Sequence, residues 1–329
     1  MKGAKDVANK VRQKTVTRAL SERANGFFKA QYPNDTTRKA FCANYKRFIR
    51  FCRERYRCKS EEECQTHIAD YAEHLSSATA FTPSTIHAYL APVCIYYGIN
   101  LKELSKPLRR TSAYTRGRSG NGRTERNDND ISNPKYRRLA DFQLRVGLRR
   151  AELQRLTGAD LVMDESGEMC VRVKKGKGGK NQLQKFLPVD REFVASYFKD
   201  KQPDERIFTA EEMRNKLNLH RLRALCAQNA CRYYSARLET EGELYRQQLI
   251  REIGARWNTY NINPKTGKPK PLNKRLLSGT YFLRGENKKF AEQHGLPVAY
   301  DRLALTAVSV FHLSHWRNDV SAESYLLAV

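Results

Sequence analysis

Leu313-Ser314-His315-Trp316-Arg317-Asn318-Asp319-Val320-Ser321-Ala322-Glu323-Ser324-Tyr325 follows an apolar run at helical spacing, Leu303, Ala307, Val308 and Phe311, and sets a histidine and a tyrosine ten residues apart. A phenol with an ordinary pKa of about 10 is a poor nucleophile at neutral pH. It needs cations and hydrogen-bond donors gathered around whatever it attacks. The chain carries 61 Lys and Arg against 35 Asp and Glu, a formal net charge of +26, so a phosphate is the target its composition favours. The question is which other stretches supply that cluster.

Three do. Gly147-Leu148-Arg149-Arg150-Ala151-Glu152-Leu153 puts Arg149 and Glu152 three apart, on one face if helical, where the carboxylate can orient the guanidinium. Strand-like runs from Met169 to Val173 and from Leu183 to Val189 flank Gly176-Lys177-Gly178-Gly179-Lys180, a glycine-rich hairpin turn that lets Lys177 reach into a groove. His220-Arg221-Leu222-Arg223 lies near the start of a helix expected over 217–238, with His220 and Arg223 on one face. Taken singly, each has a plain explanation: a surface ion pair, an ordinary turn, a chance His-x-x-Arg.

Upstream, the chain reads as helical. Residues 1–35 form a basic arm ending in the turn Tyr32-Pro33-Asn34-Asp35, where Asp35 or Thr36 can cap the helix that follows. Phe41, Tyr45, Phe48, Ile49 and Cys52 make its apolar stripe. Lys39, Lys46, Arg47 and Arg50 occupy its other faces as candidate DNA contacts. A second helix is expected from Ser60 to about Leu75, and a third from Thr82 to a stop at Gly98. Residues 36–105 therefore form a small helical bundle. Residues 106–133 are a polar, cationic linker with Arg109, Arg110, Arg116 and Arg118, either a solvated spacer or a strap along a phosphate backbone. Residues 134–329 form a second globular part, in which 239–299 reads as less regular.

Composition narrows the function classes. A hydrophobic content of 40% excludes wholesale disorder, and no apolar stretch reaches the roughly 18 residues of a membrane span. The start, Met1-Lys2-Gly3-Ala4-Lys5-Asp6, lacks the apolar segment of a secretory signal, so a cytoplasmic, reducing setting is expected. The eight cysteines include no C-x-x-C pair, and no metal site is expected from their spacing. No Walker-type loop is present, and no cofactor is expected.

Taken together and in order, these pieces resemble the tyrosine recombinase (phage integrase, λ-integrase) family. The resemblance rests on Gly147 to Leu153 (G-L-R-x-x-E-L), Gly176-Lys177-Gly178, His220 to Arg223 (H-x-L-R), Leu313-Ser314-His315 and Tyr325. It covers residues 135–329 through these motifs and 36–105 more weakly. It implies a mainly α fold with a small antiparallel β-sheet, in which a SAM-like helical core-binding domain precedes the catalytic domain. Tyr325 would attack a DNA phosphodiester, giving a 3′-phosphotyrosine and a free 5′-hydroxyl. Arg149 and Arg223 would cradle the nonbridging oxygens, with Glu152 holding Arg149. Lys177 would protonate the leaving oxygen, His220 would assist proton transfer and His315 would bond the phosphate.

The implied partners are double-stranded DNA attachment sites, a homotetramer assembled on DNA, and accessory DNA-bending proteins, with the enzyme at the nucleoid. A type IB topoisomerase shares this chemistry and is the nearest alternative. An inactive DNA-binding protein is the other. The chain departs from the family pattern at Ala224 (often a second His), at Ser314 (usually Gly) and in the 92 residues separating Arg223 from His315, which make 239–299 look like an insertion. Trp316 adjoins the His315 position, which some members fill with Trp. Four residues follow Tyr325 here, so a neighbouring protomer would be contacted through the 239–299 segment, or else Tyr325 would lie on a mobile tail.

Overall fold

The computed structural model describes residues 18–78, 81–107, 130–176, 181–263 and 266–327. The chain is mainly helical with small antiparallel sheets, and it divides into two compact units, Met1–Arg110 and Thr111–Val329. Among the described residues no helix is long and apolar enough to cross a membrane. The linker arginines Arg109, Arg110, Arg116 and Arg118 lie outside the described residues, as does Lys177.

The first unit is a helical bundle: α1 (18–31), α2 (Asp35–Tyr56), α3 (Glu61–Gln65), α4 (Ile68–Ser77) and α5 (Pro83–Tyr97). The cap of α2 is Asn34, one residue before the expected pair, because its side chain accepts from Thr37 N at 3.1 Å. The described part of the stretch read as an arm is helical and buries Ala24 and Phe28 with Tyr45, Phe48, Ile86 and Leu90 in one core. The single helix expected from Ser60 is broken at Thr66–His67. There the Thr66 hydroxyl donates back to Glu63 O, and His67 leaves the helix to stack on Tyr56, with ring centroids 3.6 Å apart.

In the second unit, α6 (Pro134–Val146) starts with Pro134 behind the Asn133 cap and ends at Gly147. Gly147 has φ +68°, and a Cβ built there would lie 3.0 Å from Cys226 Sγ, so both backbone conformation and packing require glycine. The short helix α7 (Arg150–Leu153) follows. Strands β1 (Leu161–Met163), β2 (Met169–Val173) and β3 (Gln182–Lys185) then form an antiparallel meander pairing Leu161 with Val171 and Val171 with Gln184. β1 was absent from the sequence expectation, and β3 is shorter than expected because residues 188–190 turn helical.

Beyond α8 (Arg191–Ser196) comes α9 (Leu219–Thr240), the spine of the unit. Leu219 and Leu222 sit in the core shared with α6 and the sheet, while Ala227, Ala230, Tyr234 and Leu238 sit in a second core. That second core also takes α10 (Gly242–Tyr260), strands β4 (Thr280–Phe282) and β5 (Ala299–Asp301), helix α11 (Gly285–Gln293) and the C-terminal helices α12 (Arg302–Ala307) and α13 (Asn318–Ser321).

The segment 239–299 is thus more regular than its composition suggests. Tyr245, Leu249, Ile253 and Trp257 form a buried stripe along α10. Charged side chains on the same helix fasten it to the sheet: Arg256 pairs with Asp164 at 2.6 Å and donates to Leu183 O, and Lys185 pairs with Glu252 at 3.0 Å. This helix is built into the core of its own chain.

His312 is enclosed in that core, 3.2 Å from Tyr234 Oη. Burial, aided by the charges of Lys185, Arg223 and Arg256, pulls its pKa down to about 3. The unfolded chain binds a proton there near the ordinary pKa of about 6.5 and the folded chain does not. The stability linked to neutral His312 is therefore complete above about pH 6.5 and declines as the pH falls toward 3, by up to about 1.4 kcal/mol per unit. Urea unfolding between pH 7 and 5 should show a steeper loss for the wild type than for His312→Gln. Equal slopes would contradict a histidine buried in the neutral form.

Candidate active site

The end of α6, the turn into α7 and the start of α9 are held together by buried amides. Gln143, fully enclosed, accepts from Leu148 N at 2.9 Å and donates to Leu148 O and Leu219 O at 2.6 and 2.8 Å. Gln184 of β3 donates to Val146 O and to Gly147 O. Arg150 reaches Met213 O, Asn215 Oδ1 and Leu217 O, fixing the approach to α9, and Asn218 caps α9 by accepting from Arg221 N. This scaffold brings Arg149 and Arg223, from separate elements, close enough for their charges to interact.

Arg149 stands at the N-cap of α7 rather than within it. Its Nη1 donates to Glu152 Oε1 at 2.7 Å while its backbone N–H donates to Glu152 Oε2 at 2.8 Å, so one buried carboxylate fixes both main chain and guanidinium. Arg223 is 1% exposed. Its Nη1 donates to Gly147 O, and its Nη2 to Leu313 O at 2.7 Å. The buried Nε–H finds no acceptor among the described residues. Burial holds this guanidinium below its ordinary pKa, and the phenol of Tyr325 acts in the opposite sense.

Tyr325 lies above Arg223, whose guanidinium carbon is 5.7 Å from the phenol ring centre. Tyr325 Oη is 3.2 Å from His315 Nε2, and the exposed His220 ring is 5.1 Å from the Tyr325 ring between centroids. The sequence-predicted residues Arg149, Glu152, His220, Arg223, His315 and Tyr325 thus converge within one chain. Trp316 points elsewhere, edge-on to Trp257 at 5.5 Å, and His315 is the residue beside the phenol. Among the other tyrosines, Tyr234 is buried against His312 and Tyr245 lies in the core.

The backbone around these groups is irregular. α12 widens into a π-helical turn at Val308–His312, and Tyr325 itself sits in a second, Ala322–Leu326. Between them, Ser314 (φ +50°) and Trp316 (φ +61°) bracket His315 in the left-handed region. Ser309 secures the turn, accepting from His315 N through its carbonyl at 3.0 Å and from Arg317 N through its hydroxyl at 2.8 Å.

Sequence reading missed Gln228, whose amide approaches Tyr325 O and Leu326 O at 3.4 Å each. Its place, eight residues after His220 on α9, was the available signal. Among the described residues no group of three or more His, Cys, Asp and Glu could hold a metal ion.

In the first unit, Lys39, Lys46, Arg47 and Arg50 are all exposed on α2. Lys39 and Lys46 line a hollow of about 530 Å³ with Lys29 and Arg38, and Lys39 also pairs with Asp35 at 2.6 Å. Arg47 and Arg50 face a second hollow of about 410 Å³ that includes Phe51, Tyr71 and Tyr89, and Arg47 lies 4.9 Å over the Tyr89 ring.

A left-handed φ at a residue with a Cβ is costly, and the buried Ser314 hydroxyl finds no partner among the described residues. Ser314→Gly should therefore stabilise the protein by roughly 0.5–1 kcal/mol. A lower urea midpoint for this variant would show that the turn is not under strain.

No protein-family model matches the chain, and no curated protein matches its sequence. Among solved structures it is similar to the crystal structure of XerA recombinase, at 15% identity over 66% of this chain and 85% of that one, with a TM-score of 0.23.

Proposed function

We propose that the chain is a site-specific DNA recombinase that cleaves and rejoins DNA through a 3′-phosphotyrosine on Tyr325. The observation that carries this reading is the meeting of Tyr325 Oη with His315 Nε2 at 3.2 Å, on a phenol whose ring centre lies 5.7 Å from the buried Arg223 guanidinium carbon. The phenol oxygen attacks phosphorus while the bond to the 5′-oxygen breaks. The phenol proton leaves to an imidazole, and the departing oxygen takes a proton from Lys177.

Arg149 and Arg223 stabilise the charge that grows on the nonbridging oxygens, a task suited to guanidinium groups already fixed by Glu152 and by backbone carbonyls. Because His315 is the imidazole in contact with the phenol, it is the first acceptor for the phenol proton, with His220 the neighbouring one. The exposed cations of α2 and those of residues 106–133 contribute sequence-independent phosphate contacts. Assembly as a tetramer on two duplexes, accessory bending proteins and location at the nucleoid belong to the same proposal.

Relaxation without site preference is the competing activity, and one assay separates the two. A nicked duplex carrying the attachment site should give a denaturation-resistant protein–DNA adduct with wild type and none with Tyr325→Phe. An adduct that survives Tyr325→Phe moves the nucleophile elsewhere, and no adduct from wild type removes the enzyme reading. Relaxation of any supercoiled plasmid without strand exchange favours the topoisomerase. Binding should also weaken steeply with salt: for six to ten phosphate contacts, affinity falls about 10³–10⁵-fold between roughly 50 and 200 mM. A flat salt response would contradict a backbone-tracking cationic surface.

A further inference from the structure

The 239–299 segment touches the tyrosine-bearing segment at two places, each within two residues of a group in the candidate site. Tyr281 Oη, on β4, donates to Glu323 Oε1 at 3.2 Å, and Glu323 lies two residues before Tyr325 in the same π-helical turn. Trp257, on α10, meets Trp316 edge-on, with centroids 5.5 Å apart and planes at 84°, and Trp316 adjoins His315.

Both contacts come from side chains that are themselves fixed. Trp257 Nε1 donates to Lys270 O at 2.7 Å. Tyr281 pairs with Tyr300 across β4 and β5, with the Arg302 guanidinium 5.8 Å over its ring. Burial, then the Glu323 carboxylate, pushes the Tyr281 phenol up to about 12, so it stays protonated and remains a donor. The carbonyls of Tyr325 and Leu326 also face the Gln228 amide at 3.4 Å each.

We infer that Tyr281 and Trp257 are positioning residues, and that the 239–299 segment is an internal brace holding Tyr325 and His315 in register within one chain. The inference rests on Tyr325 being the nucleophile. A nucleophile must be held to within about 0.5 Å of its productive position, and a turn with widened helical geometry does not achieve that by its own hydrogen bonds. Glu323 and Trp316 are the points at which the 239–299 segment grips the turn. The same contacts count against the 239–299 segment serving chiefly to reach a neighbouring protomer.

Tyr281→Phe removes one hydroxyl and keeps the ring, so its thermal midpoint should fall by no more than about 2–4 °C, the cost of one hydrogen bond in a unit of this size. Without DNA, amide exchange over 318–327 should become about fivefold faster, the effect of losing one ordinary hydrogen bond. With the nicked duplex, adduct formation should slow about tenfold at unchanged DNA affinity. Glu323→Gln, which keeps an acceptor oxygen, should cleave near the wild-type rate. Glu323→Ala should slow cleavage at least as much as Tyr281→Phe, and adding Tyr281→Phe to it should bring no further loss. Unchanged exchange in Tyr281→Phe, an unchanged cleavage rate, or multiplicative losses in the double variant would each overturn the brace. Absence of adduct from wild type would sink the nucleophile reading instead, while the exchange measurement, made without DNA, still decides whether the turn is gripped.

Discussion

The buried guanidinium of Arg223 is the interaction on which the second unit depends. A guanidinium taken out of water is costly unless its N–H groups find acceptors. The two Nη groups of Arg223 find them at Gly147 O and Leu313 O, 76 and 90 residues away in sequence. Satisfying this one side chain obliges the end of α6 and the turn before His315 to meet on the first coil of α9. This buried cation is therefore the pin that joins those segments.

Other polar side chains extend the same logic. Gln143 and Gln184 bond the carbonyls on either side of Gly147, and Arg150 ties down the loop entering α9. The turn at Gly147 is thus gripped from α6, from β3 and from α9, with its left-handed backbone reserved for glycine. Rigidity here contrasts with the Leu313–Arg317 turn, where two residues with side chains hold left-handed φ values and the flanking helices are widened. Strain of that kind persists where surrounding packing over-determines it, which is the role α10 and β4 fill.

Much of this was legible in the sequence. Ser60 and Thr82 act as the expected caps, Gly98 as the expected stop, and the apolar stripe of α2 is buried as its spacing required. These features depend on neighbours three or four residues away, so local chemistry is enough to reveal them. α10 escaped notice although Tyr245, Leu249, Ile253 and Trp257 recur every four residues. Arginines, glutamines and Glu252 fill most of the intervening positions, and Arg256 and Glu252 are half of ion pairs whose other members, Asp164 and Lys185, lie far away in the chain.

What the sequence alone determined was therefore the residue types, their order and the helices that carry them: a tyrosine ten residues after a histidine, and an arginine three before a glutamate. Tertiary structure decided which groups touch. It set His315 rather than His220 against the Tyr325 hydroxyl, turned Trp316 toward Trp257, made Arg149 a cap instead of a helix-face residue, and built the 239–299 segment into the core of its own chain. The reason is physical. Periodicity records which face of an element is apolar, whereas the partner of a buried charge or hydroxyl is fixed only when distant segments close around it.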